Sequence, residues 1–162
     1  MGCETPVGGA AGAPLFSKFT KQTLTPMENK APPKEHAFGE LLGLVFKRVE
    51  EGHSVCALQI RPELLNPYRV LHGGVLFSMA DTGMGAALYS RMVEAESCAT
   101  IEIKMNFLRP VSDGMVTCES RVVQKGKRVA VLESDLSCEG RVVAKALGTF
   151  SIFERRTLPE GP

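Results

Sequence analysis

The sequence predicts an α+β domain in which a curved antiparallel β-sheet wraps around one long central α-helix. Three observations carry this expectation. A run of about twenty residues in the middle of the chain is apolar around most of its circumference at helical spacing, so the helix must be covered on most sides. Two alternating runs precede it and three or four follow, joined by turns too short for parallel crossovers. Strands that flank a single helix bury both apolar faces when the sheet curls about it.

The elements follow in order. Residues 1–36 are rich in Gly, Ala and Pro without sustained periodicity and read as a disordered tail; residues 37–155 form the domain and residues 156–162 a second tail. The start "MGC" resembles a lipidation signal, but Pro6 stands where such signals carry Ser or Thr, and no signal peptide is expected. "LLGLVFKRVEEGHSVCALQIRP" reads as two strands around a turn at Glu51-Gly52, with Cys56, Leu58 and Ile60 on one face of the second. Pro62 and Pro67 bracket the loop "PELLNP".

The helix runs from about residue 73 to residue 92. Its small residues Gly83, Gly85, Ala86 and Ala87 suit close packing on the sheet or on a second helix, although each Gly costs about 1 kcal/mol of helix propensity relative to Ala. "TIEIKMNFLRP" then alternates, with Ile101, Ile103, Met105 and Phe107 on one face and Thr100, Glu102, Lys104 and Asn106 on the other, as a half-buried strand does. "GMVTCESRVVQ" and "RVAVLESDLSCE" follow, joined by a "KGK" hairpin, with Ala130, Leu132, Leu136 and Cys138 sharing a face of the second. A last strand, "RVVAKALGTFSIF", begins after a turn at Glu139-Gly140. No internal repeat is visible.

Composition excludes several function classes. Nineteen basic against eighteen acidic residues leave a net charge of +1, which gives no clustered surface for nucleic acid. No apolar run is long enough to span a bilayer, so no membrane role is expected. The five cysteines are odd in number and lack any C-x-x-C pair, which argues against a disulfide framework or a zinc site and for reduced thiols in the cytoplasm. Cys56, Cys118 and Cys138 fall inside apolar strand patterns and read as buried small side chains.

The chemistry concentrates in "LHGGVLFSMAD". Asp81 is the only formal charge between Arg69 and Arg91, and a carboxylate on a mostly buried helix is expensive unless it is paired, hydrated or working. The competing reading puts it on a narrow solvent-facing stripe. At the helix start no Ser, Thr, Asp or Asn is placed to cap, so the amides of Gly73 and Gly74 are expected to be free, and with no side chain there a ligand oxygen can come close. That suits a carbonyl turning into an oxyanion. Gly73 and Asp81 are eight residues apart, about 12 Å along a helix, too far to act on one carbonyl. Two chains paired about a two-fold axis with antiparallel helices would bring Gly73 of one near Asp81 of the other, so a dimer with two identical sites is expected.

The segment "RPELLNPYRVLHGGVLFSMADTGMGAAL", with "TIEIKMNFLRPV" and the "QKGK" hairpin, closely resembles the hot-dog-fold thioesterases of the phenylacetyl-CoA thioesterase type. The resemblance spans roughly residues 38–153 and rests on a His-Gly-Gly motif, an acid nine residues after the histidine and an asparagine six before it. It implies hydrolysis of acyl-CoA thioesters in which the Gly73 amide, helped by Asn66, polarises the carbonyl. Asp81 would act as general base on water or as nucleophile, and Thr100, at the start of the next strand, would help hold the water. His72 would brace the loop, with a direct role in proton transfer left open. It also implies action without metal or other cofactor, by dimers paired into tetramers. A thioester is electrophilic and its thiolate leaves without much protonation, so one carboxylate and an oxyanion hole suffice. No G-x-S-x-G suggests a serine triad.

Candidate substrate contacts come from residue type and position. Gly74, Phe77, Met84, Leu88 and Tyr68 are candidate walls, and Lys125, Lys127, Arg128 and Arg109 are candidates for the CoA phosphates. One position departs from the family: Arg69 stands where a glycine is common between the asparagine and the histidine. Either the loop runs differently, the guanidinium points to the pocket or the phosphates, or the arginine simply faces solvent. Two other readings compete, a non-catalytic acyl-CoA binding module and a hot-dog lyase that hydrates enoyl-CoA. The presence of Asp81 and Asn66 favours hydrolysis.

Overall fold

The computed structural model describes residues 36–155; both expected tails, and Cys3 with them, lie outside the described residues apart from His36. The chain opens with a short helix, α1 (Ala37–Leu42), where the sequence reading has its first strand beginning. Gly43 ends it in the left-handed conformation, φ 76°, its N–H returning to the Glu40 carbonyl. The Arg61 guanidinium donates to the carbonyls of Leu41 and Leu42, which the helix end leaves unpaired.

Strands β1 (Leu44–Glu50) and β2 (His53–Gln59) follow, then a single 3-10 turn at Pro62–Leu64 inside the expected loop, and helix α2 (Gly73–Tyr89). Strands β3 (Glu96–Phe107), β4 (Met115–Lys125), β5 (Val129–Cys138) and β6 (Arg141–Glu154) complete the chain. The six strands form one antiparallel sheet in the order β1-β2-β4-β5-β6-β3, the hot-dog arrangement with α2 as its filling. Both expected Glu-Gly turns have positive φ at both residues, 47° and 85° at Glu51-Gly52 and 51° and 73° at Glu139-Gly140, the twist that joins adjacent antiparallel strands tightly.

Helix α2 is shorter than its apolar pattern suggests. It stops at Ser90, whose hydroxyl donates to the Ala87 carbonyl at 2.8 Å while accepting the Gly52 N–H at 2.8 Å, tying the helix end to the β1–β2 turn. Val75, Leu76, Met79, Ala80, Met84, Ala87 and Leu88 are buried against the concave face of the sheet, where Cys56, Leu58, Val116, Cys118, Ala130, Leu132 and Leu136 meet them. Cys138, on the same strand face, and Ile60, just past β2, are buried as expected.

The seat of the helix is partly hydroxylic. Ser54, Ser120 and Ser134 are all buried; Ser54 Oγ donates to the Gly83 carbonyl at 2.7 Å, and Ser120 and Ser134 bond each other at 2.7 Å. Gly83 is what lets α2 come this close, since a Cβ there would stand 2.5 Å from Ser120 Oγ. Gly83→Ala is therefore expected to lower stability by about 1–2 kcal/mol in a denaturant titration, overpacking outweighing the roughly 1 kcal/mol gain in helix propensity. Gly85→Ala, where nothing lies within 4 Å, carries no such clash within the chain.

The sheet does not close over the whole helix. Gly74, Phe77, Ser78, Asp81, Thr82, Gly85, Ala86 and Tyr89 keep solvent contact and form one stripe along α2, facing the slot between the β1 and β3 edges.

Candidate active site

The site begins in the loop before α2. Leu65 and Leu71 form an isolated antiparallel bridge, and His72 N–H bonds the Leu64 carbonyl at 2.9 Å, so residues 66–70 stand out as a tight turn beside the helix start. Asn66 holds that turn: its N–H donates to the Val70 carbonyl, its carbonyl accepts from Arg69 N–H, and its Oδ1 accepts from Tyr68 N–H at 2.9 Å and Val70 N–H at 3.3 Å. Its Nδ2 has no partner among the described residues.

Arg69 occupies the left-handed region at φ 62°, the backbone state that a glycine at this position would adopt without cost. The arginine thus holds a backbone state suited to glycine, at a cost of roughly 1–2 kcal/mol. The Arg69 side chain is exposed and, among the described residues, unpaired.

His72 changes the expected helix start. It is the N-cap in extended conformation, and its Nδ1 accepts the Gly74 N–H at 2.9 Å. An imidazole thus supplies the cap that the sequence reading found missing, and the Gly74 amide is engaged. Only the Gly73 N–H of the two is left without a partner among the described residues. A Cβ on Gly73 would meet the Phe107 ring at 3.2 Å, so the glycine also admits the end of β3. Gly73 lines a cavity of about 320 Å³ with Val70, Leu71, Leu76, Phe107, Leu108 and Arg109 among its walls.

Asp81 lies two turns on, half-buried, on the open stripe of α2. Thr100 Oγ1 donates to its Oδ1 at 2.7 Å. Thr100 sits inside β3 rather than at its start, and a bulge makes the contact possible: the β3–β6 register shifts between Thr100 and Glu102, leaving Ile101 as the extra residue. Strict alternation would keep Ile101 inside with Ile103 and Met105. The bulge instead leaves Ile101 exposed and turns the Thr100 hydroxyl towards Asp81, with Thr100 itself still exposed. Because β3 is an edge strand, it is also less buried than its pattern suggests.

Around this pair lies a cavity of about 350 Å³ lined by His36, Phe46, Thr82, Gly85, Ala86, Tyr89, Cys98, Ala99 and Phe150 besides Asp81 and Thr100. It shares no lining residue with the Gly73 cavity. Burial, and then the Asp81 carboxylate, push the Cys98 thiol up, which keeps it protonated beside Asp81 and unsuited to nucleophilic attack. The hydrogen-bonded contact with Cys118, and then burial, push the Cys56 thiol far above its usual range, so Cys56 is unsuited to attack as well.

Several expected contacts fall elsewhere. Met84 and Leu88 are fully buried in the core, with Met84 packed where Gly148 leaves room, and they line neither cavity. Phe77 is partly exposed on α2 and Tyr68 projects from the loop, and neither lines either cavity. Lys125 is engaged by both oxygens of Glu96, at 3.0 and 3.1 Å, and is mostly covered, which leaves its charge little to offer a phosphate. Lys127 and Arg128 lie at the β4–β5 turn, at the far end of β4 from the Gly73 loop. Arg109 lines the Gly73 cavity while donating to the Val142 carbonyl at 2.6 Å. The walls of the Asp81 cavity that sequence reasoning missed, Phe46, Cys98 and Phe150, come from strands far apart in the chain, and no local pattern marks them.

Comparison with known proteins gives a consistent pattern. The sequence model of the Thioesterase superfamily matches residues 68–145. The acyl-coenzyme A thioesterase PaaI of Escherichia coli is 31% identical over 117 residues, which cover 68% of this chain and 81% of that protein. Among solved structures, a conserved protein of Pseudomonas aeruginosa superposes with TM-score 0.71 at 36% identity, covering 74% of this chain and 95% of that one. A mutant of the phenylacetic acid degradation protein PaaI from Thermus thermophilus gives 0.68 at 26%, covering 72% and 98%.

Proposed function

The chain belongs to the thioesterase superfamily, and on that premise we propose that it hydrolyses acyl-CoA thioesters to free acid and CoA at a site built from two chains. The observation that carries the reading is the Thr100–Asp81 hydrogen bond, which holds a carboxylate at the wall of an otherwise largely apolar cavity. The Gly73 N–H of the partner chain donates to the developing oxyanion, with Asn66 Nδ2 as a second donor. Asp81 removes the proton from water or attacks directly, and Thr100 fixes its orientation. His72 acts through the helix start, its cap on Gly74 holding the Gly73 amide in place.

The separation of Gly73 and Asp81 into different cavities of one chain supports the two-chain form, as does the first half of the open stripe of α2, from Gly74 to Asp81, which offers a surface for an antiparallel second helix. Pairing of such dimers into tetramers and a cytoplasmic setting belong to the same reading; the four described cysteines are free thiols, and no helix among the described residues is long and apolar enough to cross a membrane. No metal or other cofactor takes part. Arg69, in the loop before α2, and Arg109, at the Gly73 cavity, are the proposed contacts for the CoA phosphates.

Release of free thiol from acyl-CoA substrates tests the reading. Turnover is expected from the unmodified chain, and Arg69→Ala is expected to raise KM more than it lowers kcat, as loss of a contact made equally in ground and transition states does. Tight binding of acyl-CoA without thiol release would replace hydrolysis by a binding function.

A further inference from the structure

The lining of the cavity beside Asp81 extends along α2 from Asp81 to Tyr89. Its helix side is formed by Asp81, Thr82, Gly85, Ala86 and Tyr89, and its other walls by Phe46 of β1, Phe150 of β6 and Cys98 to Thr100 of β3. All but Asp81, Thr82, Thr100 and His36 present apolar or aromatic surface. A Cβ on Gly85 would meet nothing within 4 Å, so the middle of the slot is open rather than filled by its own floor.

Resting on the thioesterase reading, we propose that the acyl group lies in this slot, running from the carbonyl at Asp81 towards Tyr89, and that the enzyme selects medium-length acyl chains. The dimensions carry the assignment. Asp81 and Tyr89 are eight residues apart, about 12 Å along the helix. An extended hydrocarbon advances roughly 1.3 Å per carbon, so a chain of about eight to ten carbons reaches the Tyr89 ring. The volume of about 350 Å³ agrees, since it lies near the low end of the roughly 300–1,000 Å³ typical of small-molecule sites. An acetyl group leaves most of the apolar wall unused, and a palmitoyl chain overruns the slot.

The test is a series of kcat/KM values for thiol release from straight-chain acyl-CoAs between acetyl and palmitoyl. Each methylene that enters the slot is expected to raise kcat/KM by up to about fourfold, with a maximum near octanoyl to decanoyl and a decline beyond. Tyr89→Ala opens the far end and moves the maximum to longer chains. A maximum at acetyl or at palmitoyl, or a profile that Tyr89→Ala leaves in place, overturns the slot assignment while hydrolysis stands. Absence of thiol release from every member overturns hydrolysis itself, and the slot assignment with it.

Discussion

Asp81→Asn is expected to leave a folded protein whose kcat for acyl-CoA is lower by about 10²-fold or more, the scale lost with a general base. The substitution is close to isosteric. Asn can still accept the Thr100 hydroxyl through its Oδ1, so the side chain keeps its place and the cavity its shape. What disappears is the negative charge and the ability to take a proton or attack a carbonyl. KM should change little, because the carboxylate works after the acyl group is seated. Thr100→Val removes the positioning bond but leaves the carboxylate, and should cost less than Asp81→Asn. A kcat for Asp81→Asn within threefold of the unmodified chain would remove Asp81 from the chemistry. One turnover in isotopically labelled water tests for the covalent role: label in the enzyme requires an acyl-aspartyl intermediate hydrolysed at the Asp81 carbonyl, whereas label in the released acid follows both from general-base attack and from hydrolysis of such an intermediate at its acyl carbonyl.

The Asp81–Thr100 pair also shows how far local sequence pattern reaches. The odd carboxylate in an apolar helix and the bare glycines at its start are visible in the chain, and so is the succession of strands and helix along it, because turn residues and period-two alternation are local properties. The bulge at Ile101 is not. Alternation in "TIEIKMNF" assigns Ile101 to the inner face and Thr100 to the outer one, and only the pairing of β3 with β6 inserts the extra residue that reverses them. Here the resemblance named Thr100 where periodicity put it on the wrong face.

The helix start carries a related lesson. Capping preferences describe Ser, Thr, Asp and Asn, so a histidine cap escapes a reading based on them, yet an imidazole Nδ1 is an acceptor at similar reach. Arg69 was legible as a departure but not as strain, since its φ depends on the Asn66-centred turn. Helix α1 was missed because its six residues are too few to establish a period, although Gly43 marks its end.

Two inactive variants should together restore activity if each site is shared between chains. Gly73→Pro removes the backbone donor to the oxyanion without removing any bond the helix makes, because the first N–H of a helix has no intrahelical partner. The preceding residue must be extended for proline to fit, and His72 is so already, at φ −63° and ψ 132°. The crowding partner, Phe107, is more than half exposed and can move. Gly73→Pro alone is therefore expected to fold and to lose about 10²–10³-fold in kcat. In a heterodimer of Gly73→Pro with Asp81→Asn, one site combines both lesions and the other combines an intact Gly73 with an intact Asp81. Random pairing of equal amounts makes half the dimers mixed, so about a quarter of all sites, and about a quarter of the unmodified activity, should return. Coexpression or mixing after dissociation supplies the heterodimers. If both residues served a site within one chain, no pairing could repair either variant and the mixture would stay as inactive as its parts. Recovery near a quarter requires that Gly73 and Asp81, about 12 Å apart on one helix, meet across two helices running in opposite directions.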